Sequence, residues 1–423
     1  MTNAQARKFF ITTLEGGGAV GPALTVARKL VEAGHDVRVM SDEVNRPEAE
    51  ATGARFVHWT RAPNRSDRSQ ETDLHRDWEA SDMMDGFARV IGGIVVGPAL
   101  RYGQDTIEEL EREGADLVIS AELLMGVVAA CEKLGQKVAL LPSNSMIITI
   151  KAALERAAAS DAPPANEQEA RMAAIAAAMG DALKRAVPPL NAAREALGLA
   201  PIGQLLDQFG AVSMILAAVS PTFDMAPGDQ PGLTYIGPQL DDPAWAEPWQ
   251  SPWPAGDTRP LVLVGFSTTF QDHAAVLQAV IDALASLPVR ALVTLGPSIA
   301  PAELNATDNV RVVPSAPHNQ VMEVASLVVT HGGYGTLTRA LAHKLPILAL
   351  PQGRDQYGNA ERLVAHGAGL ALPPDADAQA IAGAVQKLLS DPAYAEAAAR
   401  LGGAVSREMR ESRVVEILED LAA

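Results

Sequence analysis

One pattern occurs twice in this chain and limits the folds open to it: a short apolar run, a loop of small residues and a helical period. Residues 9–14 form the first apolar run, residues 15–21 the loop, and apolar side chains then recur at helical spacing until Gly34. From about residue 255, five more apolar runs alternate with helical periods. This alternation is typical of parallel sheets with helices on both faces. The sequence therefore predicts two α/β domains.

The domain boundary is predicted from composition. Residues 241–254 hold three tryptophans and four prolines, which is typical of a stiff linker. We expect one domain over residues 1–235, a second over residues 236–404, and a last helix over residues 405–423 that packs back on the first domain.

Two segments of the first domain are predicted to lie outside its sheet. The polar residues 61–85 are predicted to form a long surface loop. Residues 151–199 are alanine-rich and helical in pattern, and we expect breaks at Pro163-Pro164 and Pro188-Pro189, because proline removes a helix hydrogen bond.

Composition excludes several classes of partner. Of 423 residues, 51 are acidic and 34 are lysine or arginine, so the formal charge is -17. An acidic surface repels nucleic acids and anionic membranes. The longest apolar run, residues 91–100, is half of the ~20 residues that a spanning helix needs. We therefore expect a cytoplasmic protein without membrane insertion. The single cysteine, Cys131, excludes a disulfide within the chain and a cysteine-cluster metal site.

The first glycine loop admits two interpretations. Residues 16–21 match G-x-G-x-x-G directly after a predicted strand, and Asp42 follows 21 residues after Gly21. That spacing is typical of NAD(P) binding. The same glycines also suit a tight turn between a strand and a helix. A nicotinamide-dependent oxidoreductase is therefore kept as an alternative.

A second glycine loop, at residues 328–336, reads VVTHGGYGT. Its glycines allow close backbone approach, and free amides at the following helix start favour an anion. His331 and Thr336 add side-chain donors, so the loop predicts a diphosphate site. After the next strand, Asp355 and Gln356 offer donors and acceptors that suit vicinal hydroxyls. These residues are expected at the same carboxyl edge of the sheet.

Residues 314–370 resemble the donor-sugar signature of bacterial nucleotide-sugar-dependent glycosyltransferases with the GT-B fold, the group of the macrolide and plant UDP-glycosyltransferases. Segments 27–37, 235–243 and 264–270 fit the same family. The resemblance implies two Rossmann-like domains that face a cleft, with the acceptor on the N-terminal domain. It further implies inverting transfer of a hexose from a UDP- or dTDP-sugar to a hydroxyl, such as a phenol of a natural product, without a metal or other cofactor.

The resemblance also assigns donor-site roles by position. The diphosphate would be bound by Ser267, Thr268, His331, Thr336 and the amides of Gly332, Gly333, Tyr334 and Gly335. The nucleobase and ribose would lie at Ser315, Ala316 and His318, and the sugar hydroxyls at Asp355 and Gln356, with Asn359 as support. Plant members have a tryptophan in place of Ser315 and a ribose-binding glutamate in place of Arg339, so these contacts differ here.

The chain departs from the family at the general base. Many members carry a histidine where this chain has Ala19, and an aspartate that orients it where this chain has Ala121. The nearest carboxylates in sequence are Glu15 and Glu122, which we consider as candidate bases. His58 and His75 lie beside the polar loop and could face an acceptor. The missing pair also keeps open a non-catalytic GT-B protein that only binds a nucleotide sugar.

Overall fold

The computed structural model of the chain describes residues 6–16, 18–145, 148, 167–226, 228–241, 248–267, 271, 273–296 and 304–423. Its strands form two separate sheets, and every strand pair within them is parallel. The first sheet contains β1 (Lys8–Thr12), β2 (Asp36–Ser41), β3 (Arg55–His58), β4 (Leu117–Ser120), β5 (Val138–Leu140), β6 (Met214–Ala217) and β7 (Leu233–Tyr235). The second contains β8 (Leu261–Gly265), β9 (Arg290–Thr294), β10 (Val310–Val313), β11 (Leu327–Thr330), β12 (Ile347–Ala349) and β13 (Gly369–Ala371).

The two sheets share one topology. The strand order is β3-β2-β1-β4-β5-β6-β7 in the first and β10-β9-β8-β11-β12-β13 in the second. In each, the chain starts in the middle, runs to one edge and then crosses to the other side. β1 beside β4 and β8 beside β11 are therefore the switch points, where ligands of open α/β sheets bind at the carboxyl ends of the strands. The prediction of two parallel α/β sheets is confirmed.

Helices cover the faces of both sheets because the central strands are apolar on both sides. All five residues of β8 are buried, and so are all four of β4 and of β11. The α-helices are α1 (Val20–Glu32), α2 (Arg46–Ala51), α3 (Met83–Val90), α4 (Ala99–Arg112), α5 (Met125–Leu134), α6 (Glu167–Ala196), α7 (Ala274–Ala285), α8 (His318–Met322), α9 (Tyr334–Ala342), α10 (Gln356–Ala365), α11 (Ala378–Ser390), α12 (Pro392–Arg410) and α13 (Val414–Ala422).

The expected helix break at Pro188-Pro189 is wrong. Helix α6 continues through both prolines. Leu183 before them and Leu190 after them are buried in the same apolar cluster. Packing of both halves on one core therefore outweighs the lost backbone hydrogen bond. The other expected break, at residues 163–164, lies outside the described residues.

The polar residues 61–82 form a mostly exposed loop, as the sequence predicts, but several of its side chains are buried. Arg65, Asp73 and His75 are each less than 9% exposed. The loop is held at the sheet edge: the backbone N–H of Arg65 donates to Asp42 Oδ1 over 2.7 Å, and Asp42 follows β2. Composition alone could not reveal this partner, because it lies more than 20 residues away.

The C-terminal segment is two helices, whereas the sequence predicts one. Helix α12 ends at Arg410 and α13 begins at Val414. Val414, Leu418 and Ala422 of α13 are buried in the core of the first sheet. In the described part of the chain, no helix has the length and apolar character required to cross a membrane.

Candidate active site

A cavity of about 930 Å³ lies between the carboxyl edges of the two sheets. The first domain lines it with the loops after β1 and β4 and with α3, and the second domain with the loops after β8, β11 and β12. Both switch points thus open onto one cleft. Ala19, Glu15, Glu122, Ser267, Ser315, Ala316, His318, His331, Gly333, Tyr334, Gly335, Thr336, Asp355 and Gln356 are among its lining residues.

The loop after β11 presents the start of α9 to this cleft. Gly332 has a φ of +88°, which a residue with a side chain rarely adopts. The N-cap, Gly333, has no side-chain cap, and α9 begins at Tyr334. Amides in the first turn of a helix have no partner within the helix and attract anions. This is the geometry that the sequence predicts for a diphosphate site.

His331 lies over this helix start as a neutral donor. A Cβ on Gly333 would come within 2.5 Å of its Nε2, so glycine makes room for the ring. Burial lowers the pKa of His331 to about 3. The imidazole is therefore uncharged near neutral pH, and any hydrogen bond that it offers a phosphate is between a neutral donor and a charged acceptor.

Two further predicted phosphate contacts follow β8. Ser267 is buried and lines the cleft. Thr268 lies outside the described residues. At the helix start, the Tyr334 hydroxyl accepts the backbone N–H of Ser220 over 2.8 Å. That bond connects the predicted phosphate loop, which comprises residues 331–336 after β11, to the segment that follows β6 of the first domain.

The predicted nucleobase end is lined by Ser315, Ala316 and His318. The Nε2 of His318 is 2.9 Å from the Thr294 hydroxyl, which itself donates to the carbonyl of Val264. Desolvation lowers the pKa of His318 to about 4, and the Arg339 charge adds to the effect. His318 therefore lines the cleft while its ring is bonded to the sheet edge. Arg339 donates to the carbonyl of Asp241 over 2.8 Å.

The predicted sugar loop follows β12 and contains Asp355 and Gln356. The Asp355 carboxylate faces the cleft, whereas the Gln356 side-chain amide holds the loop together. Gln356 Oε1 accepts the amides of Gln352 and Gly353 over 2.7 and 3.1 Å, and its Nε2 donates to Gln271. Gln356 is therefore a brace within the loop. Asp355 lines the cleft and accepts from Asn359 over 2.8 Å, and burial raises its pKa. Of the two predicted sugar contacts, the geometry favours Asp355.

The contacts of Glu15 argue against its predicted role as a base. Arg68 Nε donates to Glu15 Oε2 over 3.1 Å, and Arg68 also contacts Glu48 at 3.0 Å. The Glu15 carboxylate is therefore engaged in an ion pair with Arg68. Glu15 is therefore an anchor for the loop over residues 61–75.

Glu122 is in a different environment. It is 5% exposed, lines the cleft, and has no partner for Oε2 within the described ranges. Burial raises its pKa to about 7, with a further rise from the Asp355 charge, although the amide of Ser143 opposes it. A carboxyl group with a pKa near the working pH can exchange protons. Its role as a base stays a prediction.

The first glycine loop does not use its aspartate for a ribose. Asp42 Oδ2 accepts the backbone N–H of Glu15 over 2.6 Å, and Oδ1 accepts that of Arg65. Both oxygens hold loops together, and Asp42 is 1% exposed. The NAD(P) interpretation is therefore not supported by the geometry. Ala19 occupies the N-cap position of α1 and lines the cleft. Ala121 is buried.

Of the two histidines beside the polar loop, only His75 reaches the cleft. His58 is exposed and its Nδ1 is 2.9 Å from the Trp59 carbonyl oxygen. His75 is 6% exposed and lines the cavity. Arg68 and Arg354 line the same cavity. The sequence signal for His75 was weak, because a polar loop gives no period from which burial can be inferred. Within the described residues, no three His, Cys, Asp or Glu side chains cluster as a metal site.

Comparison with known proteins identifies relatives over the whole chain. Residues 278–421 match the family described as "Erythromycin biosynthesis protein CIII-like, C-terminal domain". The 4'-demethylrebeccamycin synthase of Lentzea aerocolonigenes is 27% identical over 93% of this chain and 94% of its own length. The 3-alpha-mycarosylerythronolide B desosaminyl transferase of Saccharopolyspora erythraea is 37% identical over 28% of each chain.

Solved structures show the same fold. The glycosyltransferase of kitacinnamycin has a TM-score of 0.73 at 20% identity, over 99% of both chains. The glycosyltransferase VinC in complex with dTDP has a TM-score of 0.70 at 21% identity, over 98% of both chains.

Fold and relatives together define a glycosyltransferase with the GT-B fold. The chain is similar to bacterial natural-product glycosyltransferases, as the sequence resemblance predicts. The predicted fold and enzyme class are confirmed, and the oxidoreductase alternative is wrong.

Proposed function

We propose that this enzyme transfers a sugar, with inversion, from a UDP- or dTDP-sugar to a hydroxyl of a small acceptor. One observation carries the proposal: the α9 helix start and Asp355 open onto the same cleft. An anion site beside a hydroxyl-binding carboxylate matches the two parts of a nucleotide sugar. The similarity to VinC, solved with dTDP, supports the same donor class.

The reaction is a single displacement at the anomeric carbon. The acceptor oxygen forms the new bond on one face while the bond to the phosphate oxygen breaks on the other. The electron pair leaves with the nucleoside diphosphate, and the acceptor proton passes to a base. The amides at the start of α9 would stabilise the charge that develops on the leaving phosphate. With these donors supplied by the chain, we expect transfer without an added metal ion, which a comparison of rates with and without EDTA tests.

The other wall of the cleft supports an apolar acceptor. Phe87, Val90, Leu123 and Met179 line it on the side of the first domain. Apolar walls with few polar groups are typical of small-molecule sites. We therefore infer an acceptor with an apolar body and a reactive hydroxyl, such as a phenol-bearing natural product.

Thermal shift with UDP, dTDP, GDP and NADH tests the donor class. We expect stabilisation by UDP or dTDP and none by NADH. Thr336→Val should weaken that stabilisation, since Thr336 lines the cleft. The matched control is Thr338→Val in the same helix, because the Thr338 hydroxyl donates to the carbonyl of Tyr334 and is fully buried. Equal loss of ligand stabilisation in both variants would remove Thr336 from the site.

A further inference from the structure

The cleft holds a histidine that no step above uses. The His75 ring lies against Gly16, where a Cβ would come within 2.6 Å of its Cε1. Gly16 places its carbonyl 3.5 Å from Nη1 of Arg354, the residue before Asp355. His75 therefore lies close to the point where the first glycine loop meets the sugar loop, and glycine at position 16 makes room for it.

Asp73 is the carboxylate beside this ring. Its Oδ1 accepts the backbone N–H of His75 over 2.8 Å, and it lies 3.5 Å from His75 Nδ1, which is close enough for an ion pair with a protonated ring but is not a hydrogen bond. The other oxygen, Oδ2, is 3.6 Å from Arg65 Nη1. Although burial opposes it, the hydrogen bond and charge of His75 hold the pKa of Asp73 below its usual range. A carboxylate behind a histidine fixes the ring and stabilises its protonated form.

Charged groups of both domains line the cleft beside His75 or pair with residues that do. Burial raises the pKa of Asp42 to about 6, so this carboxyl is largely ionised at neutral pH. On the first domain, these groups include more carboxylates than guanidiniums. One further guanidinium belongs to the second domain. These groups are Glu15, Asp42, Glu48, Asp73, Arg65, Arg68 and Arg354.

The backbone next to His75 is held in an unusual conformation. Arg76 has a φ of +45°, and Arg354, across the cleft, has a φ of +55°. Left-handed backbone at residues other than glycine is strained and is concentrated at functional sites. Both of these residues flank a side chain that lines the cleft.

We propose that His75, oriented by Asp73, is the general base of this glycosyltransferase in place of the histidine that Ala19 replaces. The inference rests on the proposed sugar transfer. The acceptor proton moves to the imidazole as the acceptor oxygen bonds to the anomeric carbon and the nucleoside diphosphate leaves. The imidazolium then releases the proton to solvent. His75 would act on the acceptor, and Asp73 is a positioning residue.

Glu122 is the competing base. Its carboxyl shares the cleft with Asp355, whose charge disfavours its ionised form. Its Oε2 has no hydrogen-bond partner within the described residues, although the backbone amide of Ser143 bonds to the carboxyl group. We assign Glu122 to the sugar side of the cleft, and the experiment separates the two.

The test compares His75→Gln, Glu122→Gln and His58→Gln in transfer from UDP- or dTDP-glucose to the phenol that gives the wild type its highest rate. We expect His75→Gln to lower kcat by ~10²–10⁴-fold and to lose the acid limb of the pH profile. Its KM for donor and its Kd for the diphosphate should stay within about twofold. Glu122→Gln should keep the acid limb, and His58→Gln should behave as wild type.

His75→Gln with a wild-type kcat, or loss of the acid limb in Glu122→Gln instead, would overturn the proposal. Two further variants leave the ring itself intact. Gly16→Ala should displace it and Asp73→Asn should misorient it, so both should lower kcat while diphosphate binding survives. If both keep the wild-type kcat, the proposal is also overturned. Wild-type protein that neither binds the diphosphate nor transfers sugar would instead contradict the proposed function.

Discussion

The side-chain amide of Asn359 donates to the carbonyl oxygen of Gly332 over 3.0 Å. Asn359 belongs to α10, after the sugar loop, and Gly332 to the phosphate loop. The same amide reaches Asp355 over 2.8 Å. One buried side chain therefore sets the spacing between the residue placed to hold the sugar and the loop placed to hold the diphosphate.

Asn359→Ala should disturb both loops. A buried carbonyl left without its donor costs about 1–3 kcal/mol. We expect a lower free energy of unfolding by that amount and weaker dTDP or UDP binding by calorimetry. Asn309→Ala is the matched control, because the Asn309 amide donates to the carbonyl of Leu284, a residue absent from the cleft lining. The control should lose stability but not affinity. Unchanged affinity in Asn359→Ala would contradict the coupling.

His331→Ala should weaken diphosphate binding. With its pKa at about 3, His331 is a neutral donor to a charged acceptor. A hydrogen bond to a charged group contributes about 1.5–3 kcal/mol, which corresponds to about 10- to 150-fold in Kd. Calorimetry at pH 8 measures it. A Kd equal to that of the wild type would remove His331 from the site.

Asp355 and Gln356 should differ in their effects. Asp355→Asn should lower transfer while the Kd for free diphosphate stays within about twofold, because the carboxylate would touch only the sugar. Gln356→Ala removes the acceptor for two backbone amides and should also lower the melting temperature. If Asp355→Asn weakened diphosphate binding as much as His331→Ala, the sugar assignment would be wrong.

Glu122 should make the fold less stable as the pH rises. Its folded pKa of about 7 lies above the value of about 4.3 for an exposed glutamate. Its protonated form is favoured in the fold, so stability is full below pH ~4.3 and falls as the pH approaches 7. The loss is on the order of 3 kcal/mol. Melting temperatures of Glu122→Gln and wild type at pH 5 and pH 8 test this: Gln should gain at pH 8 only. An equal difference at both pH values would contradict the raised pKa.

The parts of the fold that sequence predicts are those with local signals. The strands before Glu15 and His331 are buried on both faces, so they read as unbroken apolar runs. The glycine loop at Gly332 needs a positive φ, which glycine itself indicates. The position of the donor site could therefore be predicted from the sequence, and the family resemblance supplied the expected roles of its residues.

The rest depends on contacts between distant residues. Pro188 lies inside a helix because both halves pack on one core, which no local pattern shows. His75 is buried because Asp73, Gly16 and a charged cluster surround it. Gln356 holds the loop and does not point freely at a sugar, because two backbone amides need its oxygen. Such pairings become visible only when the chain is folded.

Acceptor-dependent release of nucleoside diphosphate tests the proposed inverting sugar transfer. The purified chain is incubated with UDP-glucose or dTDP-glucose and a panel of phenols and alcohols, and the product's anomeric configuration is read by NMR. The account predicts diphosphate release that rises with acceptor, together with a glycoside whose configuration is opposite to that of the donor. A glycoside that retains the donor configuration, or donor binding with no transfer to any acceptor, would contradict it.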